Sequence, residues 1–163
     1  MNRADRLYPD RPIVGVGGVI VVHPSCRIDG LPATLPPAGV VLVQRRFEPQ
    51  AGEWSLPGGA LEVGETLTGG VAREVREETG LIVEVGGVVD VFDRILLDEQ
   101  DGTAPRVRHH YVLLDYLCRP IGGRLEAGSD AADVRVVDVD DLAALHVSPL
   151  VEGVVRRALA MTW

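Results

Sequence analysis

Gly59-Ala-Leu-Glu-Val-Gly-Glu65-Thr-Leu-Thr-Gly-Gly-Val-Ala-Arg73-Glu74-Val75-Arg-Glu77-Glu78-Thr-Gly80-Leu81 decides how the chain is read. Thr66 to Thr79 has helical patterning and stops at Gly80, a residue suited to the left-handed position after a helix. At about 100° per residue, Glu74, Glu77 and Glu78 stand at i, i+3 and i+4, so their carboxylates share one arc. Leu67, Val71 and Val75 occupy the adjacent arc, which predicts an apolar face for the core beside an acidic one. Gly69 and Gly70 interrupt this helix at about 1 kcal/mol each relative to Ala. Gly70 falls on the acidic arc and reads either as room for metal-bound water or as a tolerated weakness.

Three carboxylates so placed repel one another or titrate upward unless a cation neutralises them. An all-oxygen donor set suits a hard divalent ion, Mg²⁺ or Mn²⁺. Arg73, four residues before Glu77, can pair with that carboxylate and steady the cluster. A Glu/Arg run taken alone is most often a solvated helix face. The flanking residues decide against that here. Gly59 and Gly80 complete the spacing G-x5-E-x7-R-E-U-x-E-E-x-G-U, with Val75 and Leu81 as the aliphatic positions U. Chance would produce this pattern in such a chain about once in a million, so the helix is read as a site.

The pattern matches the signature of the Nudix hydrolase family, and the order of elements around it is similar to the family over most of the chain. The resemblance implies an α/β fold, an α/β/α sandwich around a central mixed β-sheet. It also implies metal-dependent hydrolysis of the pyrophosphate linkage in a nucleoside diphosphate derivative. Carried over by position, Glu74 and Glu78 would be direct metal ligands, Glu77 a ligand through water or a candidate base, and the Gly59 carbonyl a further ligand. Glu65 would pair with Arg73. Many members add an acid from a loop after the sheet. In Glu126-Ala-Gly-Ser-Asp130-Ala-Ala-Asp133 the first choice is Asp130, by its distance from the following strand, ahead of Glu126 and Asp133.

Outside this stretch the signals are weaker. Arg45 and Arg46 end a strand just before it and read either as phosphate ligands or as a solvated strand end. Trp54, at the turn entering it, either stacks on a base or caps the core. His109 and His110 are strand neighbours facing opposite sides, and both read as structural.

The substrate is expected to be a small nucleoside diphosphate derivative. Leu96 stands where the ADP-ribose type often carries Pro, and Asp98 where the dinucleoside polyphosphate type often carries Tyr. Arg108-His-His-Tyr-Val-Leu-Leu-Asp-Tyr-Leu117, followed by Gly122-Gly123, is similar to a bacterial group assigned to ADP-ribose, which favours that substrate. A nucleoside triphosphate pyrophosphohydrolase of the nucleotide-sanitising type is the alternative. A non-catalytic ligand sensor comes last, because every acidic position of the signature is intact.

Composition agrees with a single domain. The chain has 163 residues, 46% hydrophobic and 25% charged, near globular averages. Acids outnumber bases 24 to 16, for a net charge of −8, and every one of those bases is Arg. A diffuse nucleic-acid footprint is therefore excluded. The absence of Lys excludes Schiff-base chemistry and a Walker-type Lys. Cys26 and Cys118 lack metal or disulfide spacing and read as reduced thiols. Residues 1–12 lack an apolar h-region, and the chain has no run of about 18 apolar residues, so neither a leader nor a membrane span is read and a cytoplasmic setting is expected.

Those 12 residues read as an N-terminal arm before one domain over 13–163. Ile13 to His23 and Gly39 to Arg45 predict a long-looped hairpin, Trp54 to Gly59 a turn, and Leu81 to Leu97 with Arg106 to Arg119 a second hairpin. A short strand from Asp133 to Val139 and a helix opening at Ser148-Pro149 complete the order. A homodimer is expected only by analogy with the family.

Overall fold

In the computed structural model, which describes residues 6–47, 51–98, 105–128 and 130–161, the Val-rich runs become the strands of one mixed sheet. These are β1 (Ile13–Val22), β2 (Gly39–Arg45), β3 (Trp54–Ser55), β4 (Gly58–Ala60), β5 (Leu81–Asp98), β6 (Arg106–Gly123) and β7 (Ala131–Asp138). Two α-helices, α1 (Leu67–Thr79) and α2 (Pro149–Leu159), and a 3-10 helix, Val139–Leu145, cover them.

The period of two along each strand sends neighbours to opposite layers. Val16, Ile20, Val41 and Cys118 pack under Val71 and Val75 of α1. Val19, Val40, Leu42 and Leu117 pack under Val154, Val155 and Ala158 of α2. Two cores on the two faces of one sheet make the expected α/β/α sandwich.

β1 is the organising strand. One edge runs parallel to β6, from Ile13 opposite Tyr111 to Ile20 opposite Cys118. Its other edge is shared, with β4 beside Gly15 to Gly17 and β2 beside Val21 and Val22. The first hairpin is thus only two residue pairs wide, while β7 takes the far edge of β2. The segment expected as a turn at Trp54 to Gly59 instead forms β3 and β4, because β2 and β1 offer it backbone partners. β6 also outruns its expected end, continuing to pair with β5 through Gly123 opposite Leu81.

Local chemistry sets the ends of α1. The Thr66 side chain accepts from the Gly69 amide at 3.1 Å, and Gly80 stops the helix with φ of 70°. Ser148 caps α2 in the same way, with Pro149 at its first turn. Among the described residues, no helix is long and apolar enough to cross a membrane.

Candidate active site

β4 and α1 meet at the floor of a polar pocket. Gly58 and Gly59 supply backbone there, and Glu74, Glu77 and Glu78 reach it from the acidic arc of α1. Gly59 is required by contact, since a Cβ at that position would lie 2.5 Å from Glu74 Oε1. The Gly58 amide donates to Glu78 Oε2 at 2.9 Å.

Arg73 holds the acids in register. Its Nε and Nη2 donate to the two oxygens of Glu65 at 2.9 and 3.0 Å. Nη1 donates to Glu74 Oε1 at 2.7 Å and to Glu77 Oε2 at 3.2 Å, and Nη2 also reaches the Ala60 carbonyl at 3.2 Å. The expected pairings of Arg73 with Glu65 and with Glu77 are both present.

Burial and charge act against each other at these carboxyls. Burial pushes Glu78 up to about 7, opposed by the Gly58 amide and Arg45 and reinforced by Glu74 and Asp130. Glu74 is raised for the same first reason, with Arg73 and Arg6 acting against it. Glu65 is lowered, chiefly by its hydrogen bonds from Arg73. Desolvation thus outweighs the nearby cations at Glu74 and Glu78, while the bidentate bonds from Arg73 outweigh it at Glu65.

Among the described residues, no three acids converge closely enough to form a ready metal site. Arg73 draws Glu74 and Glu77 toward itself, and Glu78 is turned to Gly58. The donor set nevertheless fits a hard cation. It is all oxygen, it is carried on one rigid helix, and it lies against the Gly58–Gly59 backbone at a distance that excludes a side chain.

The loop acids separate by position. Asp130 lines the pocket, and its carbonyl accepts from the Arg46 amide at 3.4 Å. Asp133 instead takes the Arg135 guanidinium at 2.9 Å, and Glu126 pairs with Arg124 at 3.9 Å. The loop is pinned to α1, since the Gly128 amide donates to the Glu78 carbonyl at 3.0 Å and a Cβ there would lie 1.7 Å from the Glu77 carbonyl oxygen.

Arg45 and Arg46 line the same pocket. Trp54 does not, which favours its reading as a core residue over a substrate contact: it is 8% exposed in the α2-side core, with Arg135 packed 4.9 Å from its ring centre. Its place on β3 beside Gln44 turns the ring away from the pocket and into that core. At Gly70 a Cβ would stand 2.8 Å from Leu61, 3.1 Å from Glu65 Oε2 and 3.2 Å from Val16, so the glycine admits these neighbouring side chains.

Phe47 and Arg6 are among the pocket residues that carry no signal in the sequence pattern. Phe47 follows the two strand-end arginines, and Arg6 comes from the segment that reads as a polar arm. His109 is buried but lies away from the pocket.

The family model of the Nudix domain matches residues 31–157. The chain belongs to the Nudix family. It is 32% identical over 126 residues to the ADP-ribose pyrophosphatase of Methanocaldococcus jannaschii, covering 77% of this chain and 69% of that protein. The mouse 8-oxo-dGDP phosphatase NUDT18 is 33% identical over 92 residues, covering 56% of this chain and only 24% of the longer relative. The crystal structure of a MutT Nudix hydrolase from Burkholderia pseudomallei superposes with a TM-score of 0.66 at 25% identity, over 91% of this chain and 98% of that one. These likenesses put the chain among Nudix hydrolases, which act on phosphoric anhydride bonds and generally need a divalent metal.

Proposed function

We propose that this Nudix chain hydrolyses the pyrophosphate linkage of an ADP-ribose-like nucleoside diphosphate derivative. One observation carries the reading: the acids of α1, two of them held by Arg73, share a single pocket with Arg45 and Arg46. Such a pocket offers both carboxylates for a cation and guanidiniums for a diphosphate.

Glu74 and Glu78, with Glu77 directly or through water and the Gly59 carbonyl, would hold Mg²⁺ or Mn²⁺. When bound, such an ion neutralises the diphosphate and lowers the pKa of bound water. Arg45 and Arg46 bind phosphate oxygens and orient the linkage. Water adds to one phosphorus as the bridging P–O bond breaks, and its proton passes to a carboxylate. Glu77 is the first candidate for that base, because its side chain is 58% exposed while that of Glu74 is 13% exposed. Asp130, which also lines the pocket, is the second. Arg73 and Glu65 position the helix acids. The products from ADP-ribose are AMP and ribose 5-phosphate.

Similarity to the M. jannaschii pyrophosphatase supports the ADP-ribose reading. Similarity to the 8-oxo-dGDP phosphatase supports the nucleotide-sanitising character of the alternative. A cytoplasmic setting and a homodimer belong to the same proposal. A Mg²⁺-dependent screen of nucleoside diphosphate derivatives tests it, with AMP and ribose 5-phosphate expected. Pyrophosphate released from dNTPs as the main activity would favour the alternative. Turnover that survives EDTA would contradict the metal assignment, and inactivity on every compound would revive the sensor.

A further inference from the structure

Arg6 lies outside the matched domain, residues 31–157, yet it lines the pocket that holds Glu74, Glu77 and Glu78. The residues just after it are tied to the β5–β6 hairpin. The Tyr8 amide donates to the Arg108 carbonyl at 2.9 Å, and the Tyr8 hydroxyl bonds Asp98. The Arg106 guanidinium sits 4.1 Å from the centre of the Tyr8 ring, and Arg108 stands 3.7 Å from Asp98. Arg6 itself is tethered by its carbonyl, 3.0 Å from Nδ1 of buried His109. A carbonyl only accepts, so Nδ1 carries the proton.

Tyr8 has φ of 51°, an outlier for a bulky side chain. Such a conformation persists only where its surroundings hold it, and here a hydroxyl bond, an amide bond and a cation over the ring do so. The strained residue redirects the chain, and the strap delivers Arg6 to the pocket wall.

There it joins Arg45 and Arg46, which line the same pocket. Its guanidinium on α1, Arg73, is committed to Glu65, Glu74 and Glu77. The chain has no Lys, so an anionic substrate must be met by other arginines. We propose that Arg6 is a substrate-binding residue that takes a phosphate oxygen of the nucleoside diphosphate, placed by a strap made of Tyr8, Asp98 and His109. The inference rests on the hydrolase reading of the pocket.

Steady-state kinetics with ADP-ribose and Mg²⁺ on the full chain test it. Arg6→Ala should raise KM about tenfold while kcat changes less than threefold, and Arg6→Lys should recover part of the loss. Tyr8→Phe, which removes only the hydroxyl bond to Asp98, should raise KM less and add nothing on top of Arg6→Ala. Calorimetric titration of pyrophosphate in Mg²⁺, which needs no turnover, should show about tenfold weaker binding to Arg6→Ala. KM and pyrophosphate affinity both within twofold of the parent overturn the proposal, as does a loss confined to kcat. A parent chain inactive on every nucleotide overturns the hydrolase reading instead, and the calorimetric comparison then decides the role of Arg6.

Discussion

Arg73 and Glu65 meet through two parallel hydrogen bonds, Nε to Oε1 at 2.9 Å and Nη2 to Oε2 at 3.0 Å, joining the loop before α1 to the helix itself. Both side chains are about one-fifth to one-quarter exposed, so the pair is only partly screened by water. The same guanidinium reaches Glu74 and Glu77, and the orientation of two site acids therefore depends on a residue that need not touch substrate.

Glu65→Gln is expected to lower kcat by about 10- to 100-fold and to lower stability as well. The amide removes the negative charge and turns an N–H group toward the guanidinium. Kinetics and denaturant unfolding on the same preparation check both parts.

Glu78→Gln should abolish measurable turnover, a loss of roughly a thousandfold or more, with the fold intact. The amide oxygen can still accept from Gly58, which preserves the link between β4 and α1. Activity assays beside circular dichroism test this, and near-normal turnover would remove Glu78 from the metal set.

Gly59→Ala should cost at least about tenfold in activity, because the new methyl would lie 2.5 Å from Glu74 Oε1 and displace the carboxylate. Gly122→Ala is the matched control. Its nearest contact would be Ile82 Cδ1 at 3.9 Å, and activity should stay within about twofold.

Asp115 sets a pH dependence of stability away from the pocket. Burial raises its carboxyl to about 6, reinforced by Asp90 and opposed by Arg157. The folded chain then holds more protons than the unfolded chain between about pH 4 and 6, so stability present below about 4 is lost as pH rises through 6. Asp115→Asn should remove this slope and stabilise the protein at pH 8 relative to the parent, by up to about 3 kcal/mol. Urea unfolding at pH 4, 5, 6 and 8 measures it, and parallel curves for parent and variant would refute the assignment.

What the sequence determined by itself is what local geometry carries. The helical period places Glu74, Glu77 and Glu78 on one arc, Thr66 and Gly80 bound that helix, and the Val-rich runs mark strands near their true limits. The parallel pairing of β1 with β6 joins residues about a hundred positions apart and leaves no local trace. Distance along the chain also hides much of the rest of the site. Asp130, the first choice already from its distance to the following strand, lines the pocket where Gly128 pins the loop to α1. Trp54 goes to the core because β3 joins the edge of β2, and Arg6 reaches the pocket because Tyr8 is tied to a hairpin far along the chain. Periodicity sorts side chains onto faces of one element. Only packing between elements decides which faces meet, and so which charges share a pocket.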